Sequence, residues 1–379
     1  MWPDGRLIDL FAIQHPIILA PMAGFATVRL AAAVCDAGGL GSIGCATMQP
    51  HLAAEMIKEL RKLTTRPINV NFFCHRPSQV DVEREQAWRG RLSPYCRELG
   101  IDPEPPPRLD LAPFGDAMCK VVEETRPEVV SFHFGLPDAG LLARVKAAGC
   151  LVISSATTVE EALWLEAHDV DAVIAQGAEA GGHRATFLHD DLNRAMASQP
   201  GTLALVPQIV DVVSVPVIAA GGIADGRGIA AAFALGASGV QLGTAFLLCP
   251  EAGTSPLHRE ALLHARDDET VLTNVFSGRP ARAIANRLPL DLGPLSEAAP
   301  EFPLPMGELG PLRAEAEPRQ SSDFTPLWSG QAAALAREMP GKALLLELVE
   351  EATERFKRLG RGDAVKRRAA ASRRGVRRA

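Results

Sequence analysis

Eight short apolar runs, most of them rich in β-branched residues, recur between Ile17 and Leu242: Ile17–Leu19, Gly41–Ile43, Ile68–Asn71, Val129–Phe132, Leu151–Ser154, Ala172–Ala175, Val217–Ala219 and Val240–Leu242. Ala/Leu/Glu segments of helical period lie between them, at Val28–Ala37, His51–Lys62, Ala117–Glu124, Ala139–Ala148, Val159–Ala167, Leu203–Val212 and Gly228–Leu235. A helix after each strand carries the chain back across one face, so successive strands run parallel. Eight parallel strands with helices outside can close on themselves, and the spacing predicts an α/β fold, a TIM (β/α)8 barrel. An open doubly wound sheet competes, but no G-x-G-x-x-G follows the first run. Two regions break the rhythm. Pro77–Phe114 is polar and holds Pro103, Pro105, Pro106 and Pro107, which predicts a long excursion after the third strand. From about Pro250 the chain is rich in Pro, Gly and Arg, before a helical segment expected over Trp328–Leu359. The expected division is a barrel over 1–250 with the excursion at 77–114, a C-terminal cap over 251–354 returning onto the barrel mouth, and a tail over 355–379.

With 47% hydrophobic and 22% charged residues among 379, the chain can bury one large core. No apolar stretch is long enough for a membrane span, and Met1–Arg6 lacks the basic-then-apolar pattern of a secretory signal. A cytoplasmic location with no membrane partner is expected, as a monomer or homodimer. The seven cysteines form no C-x-x-C pair and are odd in number, which suits reduced thiols rather than zinc or a disulfide framework. The tail from Arg355 carries eleven Lys or Arg against Asp363 alone. Such a tail is expected to be disordered and solvated. Nucleic acid is not an expected partner, since no aromatic residue follows Phe356 to stack a base.

Two glycine sites sit where this fold places chemistry. After the sixth run comes Gln176–Gly177–Ala178–Glu179–Ala180–Gly181–Gly182–His183–Arg184. Adjacent glycines let backbone approach a ligand, and the histidine after them can exchange a proton near neutrality. After the seventh run comes Gly221–Gly222–Ile223–Ala224–Asp225, with Asp225 a candidate helix N-cap, and the eighth gives Gln241, Leu242, Gly243 and Thr244. Loops after strands seven and eight of such barrels frequently bind phosphate through freed backbone N–H groups.

The remaining strand ends add Ala20–Pro21–Met22–Ala23–Gly24, small enough to floor a planar ring, then Asn71 and Ser131–Phe132–His133–Phe134–Gly135. A phosphate cradle, amides and two histidines, with no acidic cluster for a metal and no cysteine beside a base, point to a bound organic cofactor. Flavin mononucleotide (FMN) fits, with amides such as Asn71 and Gln176 facing the ring edge and its single phosphate on the last two turns. The run Ser277–Gly278–Arg279–Pro280–Ala281–Arg282 and the pair Asn286–Arg287 either fix a loop or contact substrate.

In order along residues 8–350, these motifs, with Pro16–Met22, Ala37–Ile43, Asn69–His75 and Gln241–Phe246, resemble the nitronate monooxygenases. These are FMN-dependent barrels formerly called 2-nitropropane dioxygenases, and the likeness is closest to the branch acting on propionate 3-nitronate. The resemblance implies oxidation of alkyl nitronates with O2 to a carbonyl compound plus nitrite or nitrate. It implies cofactor contacts at Met22, Asn71, Gln176, Gly181, Gly182, Gly221, Gly222, Gln241, Leu242, Gly243 and Thr244. It also implies a catalytic His183, with His133 nearby in the substrate pocket. A protonated His183 could hold the anion, and a neutral one could take an α-proton from a nitroalkane; anion binding is the favoured role. Arg184 is expected to face solvent or a carboxylate. Members of the family carry tyrosines and a lysine where this chain has Phe302, Met306 and Gly310, so a carboxylated nitronate should bind less well here. The alternative activity is FMN-dependent NAD(P)H reduction of an enoyl thioester or quinone.

Overall fold

The computed structural model describes residues 2–79, 81–101, 109, 111–189 and 191–375, with backbone only over 361–375. All eight apolar runs are strands. In chain order the strands are β1 (Ile17–Leu19), β2 (Gly41–Gly44), β3 (Ile68–Phe73), β4 (Val129–His133), β5 (Leu151–Ala156), β6 (Ala172–Gln176), β7 (Gly182–His183), β8 (Val217–Ala220), β9 (Gly239–Leu242), β10 (Thr270–Thr273) and β11 (Ala281–Ile284). The main sheet runs β1-β9-β8-β6-β5-β4-β3-β2, parallel throughout, and a parallel bridge between Ile18 and Leu40 closes its two edges into a barrel. Both faces of each strand are covered, which is why the runs read as continuous apolar stretches.

Ile18, Ile153, Ile174 and Ile218 fill the barrel interior, and Leu7 and Phe11 of helix Arg6–Phe11 join them. Outside, the helices pack on the alternate strand residues, among them Ile17, Leu19, Val70, Val173 and Val240. Side chains of Thr27, Asp138, Thr158 and Asp225 cap the N-termini of four of these helices, so each turn after a strand ends where its cap residue stands. No helix among the described residues is long and apolar enough to cross a membrane.

The C-terminal region departs from expectation in three ways. Trp328–Pro340 holds only the short 3-10 turn Ala333–Leu335 and no α-helix; the α-helix starts at Gly341 and runs to Gly375, because Pro340 cannot continue a hydrogen-bonded turn. The boundary set at residue 354 therefore falls inside a helix. Leu344, Leu345, Leu348 and Ala352 of that helix are buried against helices Val28–Asp36 and Gly226–Ala234. It fills the place of the helix that would follow β9, so the barrel's helical ring is completed only here, not by residue 250.

The excursion at 77–114 also holds structure of its own. Helix Val82–Leu99 buries Trp88, Leu92 and Tyr95 against Val275, Phe276, Leu309, Leu312 and Phe324. The proline cluster at 103–107 lies outside the described residues. A second, antiparallel sheet, β10-β11-β7, ties this C-terminal region to the barrel, with Ala281 opposite His183 and Arg282 opposite Gly182.

Candidate active site

The C-terminal ends of the barrel strands open into one cavity of about 420 Å³. Pockets that bury small organic ligands span about 300–1,000 Å³. The residues read from the sequence converge on it. Met22, Asn71, His133, Gln176, Gly181, Gly182, His183, Gly221, Gly222, Gln241, Gly243, Thr244, Phe302 and Met306 all line its wall. Leu242 does not. Strand alternation turns Gln241 inward and Leu242 into the outer core, where it is 1% exposed. Its carbonyl still acts on the site, accepting from the Ala20 amide at 2.8 Å.

Two of the glycines are sterically required. A Cβ on Gly181 would stand 2.5 Å from the Gly330 nitrogen and 2.6 Å from the Ser329 carbonyl carbon, both main-chain atoms. Gly222 has φ +69°, in the left-handed region that side chains disfavour. Among the described residues, the amides of Gly181, Gly222 and Ile223 meet no acceptor within the protein. Gly222 and Ile223 lie just ahead of helix Gly226–Ala234, whose N-terminal dipole favours negative charge. The Thr244 hydroxyl accepts from the Gly330 amide at 2.9 Å, and the Glu179 carboxylate accepts from the Thr202 amide at 2.7 Å and hydroxyl at 2.9 Å. The Glu179 contacts fasten the loop after β6 to helix Thr202–Val210, and the Thr244 contact ties the turn after β9 to the chain at Gly330.

The His183 loop is held from several sides. The Gln176 Nε2 donates to the His183 carbonyl at 3.0 Å, while its Oε1 accepts from the Ala185 amide at 2.9 Å. His133 Nε2 donates to the same carbonyl at 3.1 Å, since a carbonyl can only accept. Its Nδ1 lies 3.3 Å from the Ser155 hydroxyl, so both ring nitrogens of His133 are engaged within the protein. The ring of His183 sits among Phe302, Trp328 and Phe73, with centroids 5.4, 5.3 and 6.2 Å away, and its Nε2 lies 2.9 Å from Ser277 Oγ.

Burial sets the charge state. It pulls the His183 pKa down to about 3, helped by nearby His133, Arg279 and His75, and the His133 pKa down to about 4. Both shifts favour the neutral imidazoles near pH 7, against the expectation of a cationic His183 holding an anion in the resting site. Asn71 Nδ2 donates to the Ser131 carbonyl at 3.1 Å and hydroxyl at 3.0 Å, and Gln241 Oε1 is buried without a donor.

Arg184 does not face solvent. It is 1% exposed and donates to the carbonyls of Gln176 and Gly177 and to Gln199 Oε1, because the pairing of β7 with β11 turns it inward. The arginines of the later run also fix loops. Arg282 donates to the Ala178 carbonyl at 2.9 Å, and Arg279 donates to the Thr186 carbonyl while lying 4.0 Å over the Phe134 ring. Arg287 meets Glu98 at 2.7 Å, and the Asn286 side chain donates to the Ser322 and Thr325 carbonyls. Sequence reasoning missed Trp328 and the Ser277 contact, whose only local signals were a lone tryptophan ahead of a Ser-Gly turn and a Ser-Gly-Arg-Pro turn.

A profile describing nitronate monooxygenases matches residues 4–351. A nitronate monooxygenase of Pseudomonas aeruginosa is 47% identical over 351 residues, covering 91% of this chain and 98% of that protein. The structure of a nitroalkane oxidase from Streptomyces ansochromogenes superposes with TM-score 0.85 and 38% identity, covering 93% of this chain and 99% of that one. FabK from Thermotoga maritima superposes with TM-score 0.71 and 31% identity, covering 96% and 99%.

Proposed function

The chain belongs to the nitronate monooxygenase family, and from that premise we propose FMN as its cofactor and His183 as the residue that meets substrate. The reaction is oxidation of a nitronate to a carbonyl compound, with nitrite or nitrate released. The cavity supports this cofactor on its own chemistry. The free amides of Gly181, Gly222 and Ile223, with Thr244 beside them, suit one phosphate. The orphaned Gln241 Oε1 suits a ring N–H, and Asn71 keeps its Oδ1 for the cavity because Ser131 engages its Nδ2. Met22, with Ala20 and Pro21, gives a small, flat floor. When bound, the flavin supplies the electron acceptor that amino-acid side chains lack.

The side chains do the rest. Gln176 and His133 hold the His183 carbonyl and so set where the ring stands. Phe73, Phe302, Met306 and Trp328 keep water from that ring, and Arg279 adds positive potential behind it without a carboxylate in its hydrogen bond. Among the described residues, no Lys, Arg or Tyr lines the cavity, and its one charged residue, Glu179, is engaged by Thr202. The substrate that suits this wall carries an uncharged, apolar tail. A carboxylated nitronate would bring a second negative charge to a surface with nothing to pair it.

One observation carries the reading: an imidazole raised on the Gly181–Gly182 turn shares one cavity with the glycine cradle of the β8 and β9 turns. Purified protein should show flavin absorbance and consume O2 with butyl nitronate faster than with propionate 3-nitronate. Anaerobic NADH should leave the flavin oxidised over minutes. Rapid bleaching would instead favour a reductase.

A further inference from the structure

We propose that Ser277 is a positioning residue that fixes His183 as the Nε2–H tautomer and leaves Nδ1 as the nitrogen offered to substrate. The inference rests on the reading above and concerns which atom of the histidine acts. Ser277 is fully buried, and its Oγ lies 2.9 Å from His183 Nε2 and 3.1 Å from the Arg279 carbonyl oxygen. A hydroxyl has one hydrogen. The Arg279 carbonyl can only accept, and the single Ser277 hydrogen is assigned to it. Its oxygen is then an acceptor toward His183, and Nε2 must carry the proton.

The hook is rigid at both ends. The Ser277 and Gly278 amides donate to the Asn274 carbonyl at 3.3 and 2.7 Å. Arg279 is pinned by the Thr186 carbonyl and the Phe134 ring. Among the described residues His183 Nδ1 has no hydrogen-bond partner, yet it is not a sealed, unsatisfied atom, and the residue lines the cavity. Nδ1 therefore opens onto the substrate space as a lone pair.

That arrangement suits one step in particular. A neutral nitroalkane loses its α-proton to Nδ1: the C–H bond breaks and its electron pair passes into the nitro group, giving the nitronate. The new N–H bond makes the imidazolium, still bonded to Ser277 through Nε2–H. The nitronate's charge beside it then favours that cation. A nitronate formed beforehand in solution skips the step. The Ser277 contact should therefore matter for neutral nitroalkanes and little for preformed nitronates.

The test compares 1-nitrobutane with butyl nitronate on wild type, Ser277→Ala and Ser277→Thr, each as flavin-loaded protein. In Ser277→Ala, kcat/KM on 1-nitrobutane should fall about tenfold or more, as expected when a general base loses its alignment. The value on butyl nitronate should change less than about threefold, and Ser277→Thr should restore most of the loss. A parallel fall on both substrates, or no fall on either, overturns the proposal. So does a wild type that oxidises the nitronate but never the nitroalkane, or ¹⁵N spectra of the resting protein that place the His183 proton on Nδ1. A wild type that turns over neither substrate overturns the parent reading instead.

Discussion

An imidazole ringed by Phe73, Phe302 and Trp328 loses more solvation on taking a charge than its surroundings return. That is why burial, rather than any neighbour, dominates the depressed pKa of His183. The pH consequence is specific. With the free-protein pKa near 3, the imidazole is already a neutral base at pH 5, so kcat/KM for a neutral nitroalkane should be flat from about pH 5 to 9 with respect to this group. A rising limb centred near 6.5 would show an ordinary histidine in water. Replacing the ring by an amide, His183→Asn, should leave flavin content intact and lower nitroalkane turnover by about 10²–10⁴-fold; unchanged kinetics would remove the residue from the mechanism. The cavity wall allows a change in the opposite direction. Met306→Lys places an ammonium on a wall that, among the described residues, carries no Lys or Arg, and should shift preference toward propionate 3-nitronate by about tenfold relative to butyl nitronate. The ratio of the two kcat/KM values measures it.

At the scale of elements, the site is a set of turns braced from behind. The barrel strands were legible because a strand buried on both faces must be apolar throughout, and the glycine pairs were legible because each follows such a run. Helix Val82–Leu99 left a fainter trace. Trp88, Leu92 and Tyr95 stand at helical spacing, but charges and Pro94 surround them. The pairing of β7 with β11 left none, since two residues pair across a separation of about a hundred and no local pattern encodes that. The inward turn of Arg184 accompanies that pairing, and Trp328 approaches through a separate bridge to Ala283 of β11. The bracing can be tested separately from the chemistry. Gly181→Ala drives a Cβ into the backbone at 329–330, and overpacking of this kind typically costs about 1–3 kcal/mol. Because neither side of that contact is a flexible side chain, the loop must shift. Flavin should be lost on dialysis while most of the fold survives. Full flavin retention with unchanged Tm would mean that the 329–330 segment can yield.

At the scale of the whole molecule, the barrel is closed by chain that arrives late. Helix Gly341–Gly375 fills the outer layer between the first and last barrel helices, with the Gly226 amide donating to Glu351 and Phe356 packed on Trp2 and Phe233. Deleting residues 361–379 keeps all of these contacts and should leave flavin content and activity unchanged. Deleting from Gly341 strips Leu344, Leu345 and Leu348 from the core, at about 2–5 kcal/mol each, which approaches the whole stability of a typical domain. Acid should act on the same molecule through its histidines. Burial lowers His133 and His258 to about 4 and His183 to about 3, against about 6.5 in an unfolded chain. Between pH 6.5 and 4 the unfolded state therefore binds protons that the folded state refuses, and each such proton favours unfolding. The stability they confer is fully present above about pH 6.5 and is lost progressively as pH falls toward 4. Lowering the pH from 7.5 to 5 should depress Tm by several degrees, and replacing His258 with an apolar residue should shrink that drop even if it lowers Tm overall. A Tm independent of pH across that interval would mean that these rings are solvated in the folded protein, and the enclosure argued for His183 would fail with it.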